Sequence, residues 1–394
     1  MTEAKKLRVA TCSLAGCFGC HMSLLDIDEK LFELVKAVEF DRSPITDIKH
    51  CGPCDIGIVE GGVCNAENVH VLKEFRRNCK VLVAMGSCAI TGGIPAWRNN
   101  VDLWDCFQEV YHYGIGLENG QIPNDPELPL PFDKVHPINE VVRVDFFLPG
   151  CPPPADAIWK SRVEGHGKVT ILLDADDRVH QVRLHIVEFR GFEKFIQGRP
   201  YWEVPVLVQR LCGICPVSHH LAASKALDLI VGAKQLTPTA EKMRRLMHLG
   251  QILQSHALHF FHLASPDLLF GFDAEVAKRN IVHVAAVDPE VAKKGVLLRK
   301  YGQEIIRHTA GKRVHGTGSV PGGVNKNLTR AERAELLGGI DTIVDWSREA
   351  VGIIKKLFAD NAKLYESFGR FDSGRLSLVR ADGALDLYHG GLRA

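Results

Sequence analysis

The first 160 residues alternate short apolar runs with amphipathic stretches, and the loops after three of those runs carry cysteine beside glycine. Residues 7–11, 55–60, 80–85 and 142–148 read as strands, and residues 22–38, 67–77 and 101–112 read as helices. This alternation predicts a parallel sheet with helices on both faces. Sites on such a sheet form beyond the carboxyl ends of its strands. Cys17 and Cys20 follow the first strand, Cys88 follows the run at 80–85, and Cys151 follows the run at 142–148. Four thiolates gathered there suit a 4Fe-4S cluster or a zinc ion. The coincidence of three such loops favours the cluster over zinc, and both over plain core cysteines. Glycines beside each ligand allow close backbone approach and N–H donation to sulfur. The proline-rich stretch from 114 to 137 reads as a surface excursion.

A second Cys-x-x-Cys lies in Arg210-Leu211-Cys212-Gly213-Ile214-Cys215-Pro216-Val217-Ser218-His219-His220. Gly213 permits a tight turn between the two sulfurs, and Pro216 suits the first turn of a helix over 216–231. The positive end of that helix favours thiolates, the form that binds metal. With His219 four residues beyond Cys215, the pair reads as a metal site, against a plainer reading as two buried cysteines in a core turn. Cys51-Gly52-Pro53-Cys54 has thioredoxin-like spacing. That motif should follow a strand and open a helix, whereas here a strand follows it, so a redox role is not favoured. Cys12, Cys64, Cys79 and Cys106 read as structural.

The rest of the chain predicts a hairpin over 165–188 and helices over 238–264, 289–310 and 330–368, with a glycine-rich break at 316–323. His256, His259 and His262 recur every three residues; packing is favoured over a proton relay. With 48 basic and 47 acidic residues and no basic stripe, nucleic acid is not an expected partner. No apolar run reaches membrane-spanning length, so no membrane association is expected. The start carries no secretory or twin-arginine signal, which predicts a cytoplasmic protein with reduced thiols. Twelve cysteines then point to metal ligands more than to disulfides. No G-x-G-x-x-G loop opens a helix after a first-half strand, so no nicotinamide site is expected on this chain.

Cys17-Phe18-Gly19-Cys20, Gly86-Ser87-Cys88 with Gly92-Gly93, and Gly150-Cys151-Pro152-Pro153 resemble the small-subunit pattern of NiFe hydrogenases, more narrowly the NAD-reducing, bidirectional Hox type. The resemblance implies an α/β flavodoxin-like domain over residues 1–160, in which Cys17, Cys20, Cys88 and Cys151 hold a 4Fe-4S cluster. From Val163 onward the chain resembles the large subunit, implying a mainly α-helical domain with a short β-hairpin over 161–394. By that resemblance Cys212 is a terminal nickel ligand, Cys215 bridges nickel and iron, and His219 packs against the bridging thiolate. Glu164 would pass protons at the nickel, and Glu193 would serve a magnesium site. The implied activity interconverts H2 with protons and electrons at a NiFe centre carrying CO and cyanide ligands. Electrons would leave through the cluster to diaphorase-type flavin and iron–sulfur subunits that bind NAD. An FMN on the flavodoxin-like domain is compatible with that fold, although no clear motif supports one.

Two features depart from the family. Small- and large-subunit patterns run together near residues 160–162, and no cysteine follows Cys215, so the family's second Cys-x-x-Cys is absent. The alternatives are therefore an iron–sulfur electron-transfer protein with an incomplete, inactive NiFe domain, or a zinc-stabilised structural protein.

Overall fold

The computed structural model describes residues 6–153 and 168–393, except positions 44, 45, 47, 115, 116, 175, 177, 186, 187, 277, 369 and 371. Five strands, β1 (Leu7–Ser13), β2 (Val38–Phe40), β3 (Cys54–Glu60), β4 (Cys79–Met85) and β5 (Phe146–Leu148), form one parallel sheet in the order β2-β1-β3-β4-β5. Helix Ala66–Asn78, capped by the Asn65 side chain, packs Val71, Leu72 and Phe75 against Ala10, Val59, Leu82 and Ala84 on one face. On the other face Leu24, Leu31 and Leu34 meet Val9, Ile58 and Met85. Val296, from the long helix Pro289–Ala310, belongs to that second cluster. Met22 and Leu25 likewise share a cluster with Leu258 and Val314. The two parts of the chain are thus fastened through shared apolar surface, and each fully buried side chain of this size contributes about 2 kcal/mol.

Three elements differ from the sequence reading. The helix expected over 22–38 breaks into Gly19–Leu25, a 3-10 turn at Asp28–Lys30, and Leu31–Ala37, after which the chain turns into β2. Asp28 sits at φ 54°, in the left-handed region, with its carboxylate 3.0 Å from Arg313 and 3.8 Å from Lys300. Arg313 and Lys300, from the second part of the chain, face Asp28 where the helical periodicity breaks. The strand expected over 142–148 shortens to β5, because Asp145 spends its carboxylate on the Leu82 N–H (2.8 Å) and on Arg76 (2.6 Å). Within the proline-rich stretch, Pro131–His136 pairs antiparallel with Val63–Asn65 and buries Val135, so only part of it is surface loop.

In the second part, Lys168–Leu173 and Val179–His185 form the expected hairpin. Helices Pro238–Leu258 and Pro289–Ala310 lie close together. A Cβ at Gly250 would come within 2.7 Å of Ile305, and one at Gly302 within 2.7 Å of the Gln254 backbone. The chain continues past Leu258 as a wider π turn, His259–Ala264. His256 and His259 are exposed and His262 is buried, so the three do not form a continuous file. The helix expected over 330–368 divides into Arg330–Gly338, Ile340–Asp360 and Ala362–Ser367, with breaks at Gly339 and Asn361.

Candidate metal centre

The carboxyl ends of β1, β4 and β5 deliver Cys17 with Cys20, Cys88 and Cys151 to one place. Cys20 interacts electrostatically with each of the other three thiols, and Cys88 with Cys151. Gly86 and Gly93 have positive φ (84° and 53°). A Cβ at Gly86 would run into the Cys20 sulfur, and one at Gly93 would come within 2.7 Å of the Cys88 sulfur. Only glycine leaves this space beside the thiols. The Gly19 N–H donates to Cys17 Sγ at 3.4 Å. Burial, together with neighbouring thiols and Glu60, pushes Cys17 and Cys20 well up and Cys88 to about 12. Bare thiolates would repel one another here; a polycationic iron–sulfur core would reverse that balance. Glu60, at the end of β3, is buried and accepts from the His21 backbone N–H at 2.9 Å and from its ring.

Cys215 caps helix Pro216–Ile230, and its N–H donates to Cys212 Sγ at 3.4 Å. The ligating atoms of Cys212, Cys215 and His219 all lie within 4.8 Å of one another. Donation from the Cys215 thiol pulls Cys212 down to about 4 against the effect of burial, with a further contribution from His219. Gln251 and Gln254, from the long helix, donate to the Ile214 carbonyl at 3.0 and 2.8 Å and fix the turn between the two cysteines. His220 points away from them: its Nδ1 lies 2.9 Å from the Pro205 carbonyl and its Nε2 accepts from the Ser319 N–H.

The two thiol groups adjoin. The Gly213 N–H donates to the Cys17 carbonyl, and a Cβ on Gly213 would strike the Gly19 backbone. Arg190 donates to Gly16 O at 2.6 Å, Arg210 O at 3.3 Å and Leu211 O at 2.9 Å, tying both cysteine loops to one guanidinium. His315 brings Nε2 to 3.7 Å from Cys17 Sγ, and burial, with Arg210 and Lys312 nearby, holds it neutral, down to about 3.

Glu164 lies outside the described residues. Glu193 is exposed and joins no group of three or more ligating side chains among the described residues. Glu60, Arg190, Gln251, Gln254 and His315 escape the sequence reading; of these only Glu60, ending a strand before Gly61-Gly62, carries a local signal. The four N-terminal thiols, with glycine clearance around them, fit an iron–sulfur cluster. Cys212 and Cys215 offer two of the four thiolates the resemblance assigns to a NiFe centre.

Comparison with known proteins accords with this geometry. Residues 17–164 match the NADH ubiquinone oxidoreductase 20 kDa subunit family, residues 190–293 the nickel-dependent hydrogenases, and residues 161–189 the HoxL-like family. The delta subunit of the NAD-reducing hydrogenase HoxS of Cupriavidus necator is 46% identical over 159 residues, covering 39% of this chain and 76% of the relative. The beta subunit of the same enzyme is 46% identical over 244 residues, covering 59% of this chain and 50% of the relative. A vhu F420-non-reducing hydrogenase subunit of Methanococcus voltae is 46% identical over 233 residues, covering 59% of this chain and 55% of that protein. The chain belongs to the NiFe hydrogenase family, its first part small-subunit-like and its second part large-subunit-like. More narrowly, it is similar to the crystal structure of an NAD+-reducing [NiFe]-hydrogenase in the H2-reduced state, with 63% identity and a TM-score of 0.57, over 59% of this chain and 51% of that one. The chain spans about half the length of the large-subunit relatives it matches. No helix among the described residues is long and apolar enough to cross a membrane.

Proposed function

We propose that this chain is a hydrogenase module that interconverts H2 with protons and electrons and passes the electrons to an NAD-reducing partner. The supporting observation is the direct contact between the Cys212–Cys215 turn and the Cys17–Cys20 loop, made through Gly213 and Arg190. Cys17, Cys20, Cys88 and Cys151 would hold a 4Fe-4S cluster, and Cys212 and Cys215 would be this chain's thiolates to a NiFe centre bearing CO and cyanide. When bound, these groups supply heterolytic H2 cleavage and one-electron transfer. The residues of the chain do the rest. A sulfur of the Cys212–Cys215 pair would take the proton first, and Glu164 would carry it away. Glu193 would serve magnesium. Gly213 and Arg190 keep the two sites in contact.

The sheet order β2-β1-β3-β4-β5 matches the flavodoxin-like order and supports that finer description of residues 1–160, with a partial NiFe domain over 161–394. Diaphorase-type flavin and iron–sulfur subunits binding NAD are the proposed electron acceptors. The experiment is anaerobic metal analysis with infrared spectroscopy of the chain and its partner subunits. Nickel, iron beyond four per chain and iron-bound CO and cyanide bands support the proposal. Four irons without nickel support the second reading, an iron–sulfur electron-transfer protein with an incomplete NiFe domain.

A further inference from the structure

A third group of sulfurs lies at the opposite end of the central strands, where they begin. Cys54 opens β3, Cys79 opens β4, and the two are partners in the ladder. Cys51, in the loop before β3, places its sulfur 3.7 Å from that of Cys79, and Cys54 is within hydrogen-bonding reach of both. The ligating atoms of Asp41, Cys51 and Cys54 lie within 4.8 Å of one another, and Cys79 joins this group through the Cys51 and Cys54 sulfurs rather than through Asp41. Asp41 and the three cysteines are all buried, at 3–5% exposure. Thiols are weak hydrogen-bond donors, so three of them facing one another in a dry pocket gain little from mutual contact. Their spacing does match a metal. Zinc–sulfur bonds of about 2.3 Å at tetrahedral angles separate two sulfurs by about 3.8 Å.

The surroundings hold this arrangement in place. The Cys51 N–H donates to Glu74 at 3.0 Å, Asn78 donates to the Cys51 carbonyl at 2.8 Å, and the Gly52 N–H donates to Asp41 Oδ1 at 2.8 Å. Arg8 pairs with Asp41 Oδ2 at 2.5 Å, and Arg42 with Glu74 at 2.5 Å, which offsets part of the negative charge a thiolate site gathers. Supporting bonds of this kind orient the ligands of a metal site. We propose that Cys51, Cys54 and Cys79, with the Asp41 carboxylate as fourth ligand, bind one zinc ion. Binding releases the three thiol protons to water, and no electrons move. The seven residues of β3 separate this site from the Cys17–Cys20 end by about 20 Å, so its role is to pin the β2–β3 loop to the sheet.

The test is anaerobic titration of the full chain with Co2+, a spectroscopic stand-in for zinc. Other thiols on the chain also take up Co2+, so the reading is the difference between parent and variant. The parent binds one more equivalent than Cys51→Ala, and that equivalent shows intense tetrahedral d–d and thiolate-to-cobalt bands that Zn2+ bleaches. Cys79→Ser loses the same equivalent, and Cys12→Ala loses none. Cys51 lies in a loop, so its variant reports even if the Cys79 change in β4 unfolds the sheet; circular dichroism separates the two cases. Equal Co2+ uptake by the parent and Cys51→Ala would overturn the site, as would a Cys51–Cys54 disulfide in anaerobically purified protein.

Discussion

Replacing Arg190 should loosen the contact between the two cysteine loops more than any other single side-chain loss there. Its guanidinium gives three bonds to backbone carbonyls, at 2.6, 2.9 and 3.3 Å, and lies 5.3 Å from the Phe192 ring centroid. Bonds involving a charged group are worth about 1.5–3 kcal/mol each, and three sharing one guanidinium are not additive. Arg190→Ala also leaves Gly16, Arg210 and Leu211 with carbonyls lacking that donor, so a loss of about 3–4 kcal/mol is expected. At about 2–4 °C per kcal/mol for a unit of 150–250 residues, the unfolding midpoint falls by about 6–16 °C. Arg190→Lys keeps the charge but not the planar fork, and should recover about half of the loss. Calorimetry reads the midpoint, and the alkylation rate of Cys17 reads local opening; both should move together, Ala further than Lys. If both variants stay within about 0.5 kcal/mol of the parent, Arg190 is not what joins the loops.

Gly213→Ala forces a methyl into the Gly19 backbone, and relief of that overlap should cost about 1–3 kcal/mol by chemical denaturation. Gly352→Ala, in an exposed helix with nothing within 4 Å, should instead gain about 0.8 kcal/mol. Asp28 is pushed up to about 6 by burial, above its unfolded value near 3.8, so the folded state holds its proton more tightly. Ionising Asp28 therefore costs stability above about pH 6, and that cost vanishes as pH falls below about 4. Asp28→Asn, which tolerates the left-handed backbone, should be more stable than the parent by about 2 kcal/mol at pH 7.5 and no more stable at pH 4. A gain of the same size at both pH values would mean that charge is not the cause.

What the sequence makes legible is whatever has a local cause. Helix Pro289–Ala310 can be read to the residue because Asp288 caps it, Pro289 starts it and Gly311, at φ 89°, ends it. The convergence of Cys17, Cys20, Cys88 and Cys151 is legible because strand topology alone brings carboxyl ends together. The break at Asp28 is not, since Arg313 and Lys300 arrive from the far part of the chain. Cys79 reads as structural because its ladder partnership with Cys54 depends on register, which composition does not reveal. His315 reaches Cys17 for the same kind of reason: a loop near the other end of the chain lays it there.

Thiols from three strand ends are proposed to bind iron together beside the Cys212–Cys215 turn. This binding is tested most directly by iron and sulfide determination with electron paramagnetic resonance of the dithionite-reduced chain, parent against Cys88→Ala. About four irons and four sulfides are expected in the parent with the signal of a reduced 4Fe-4S cluster, and that signal is lost in the variant. Zinc in place of iron, or a Cys88→Ala spectrum matching the parent, would contradict it.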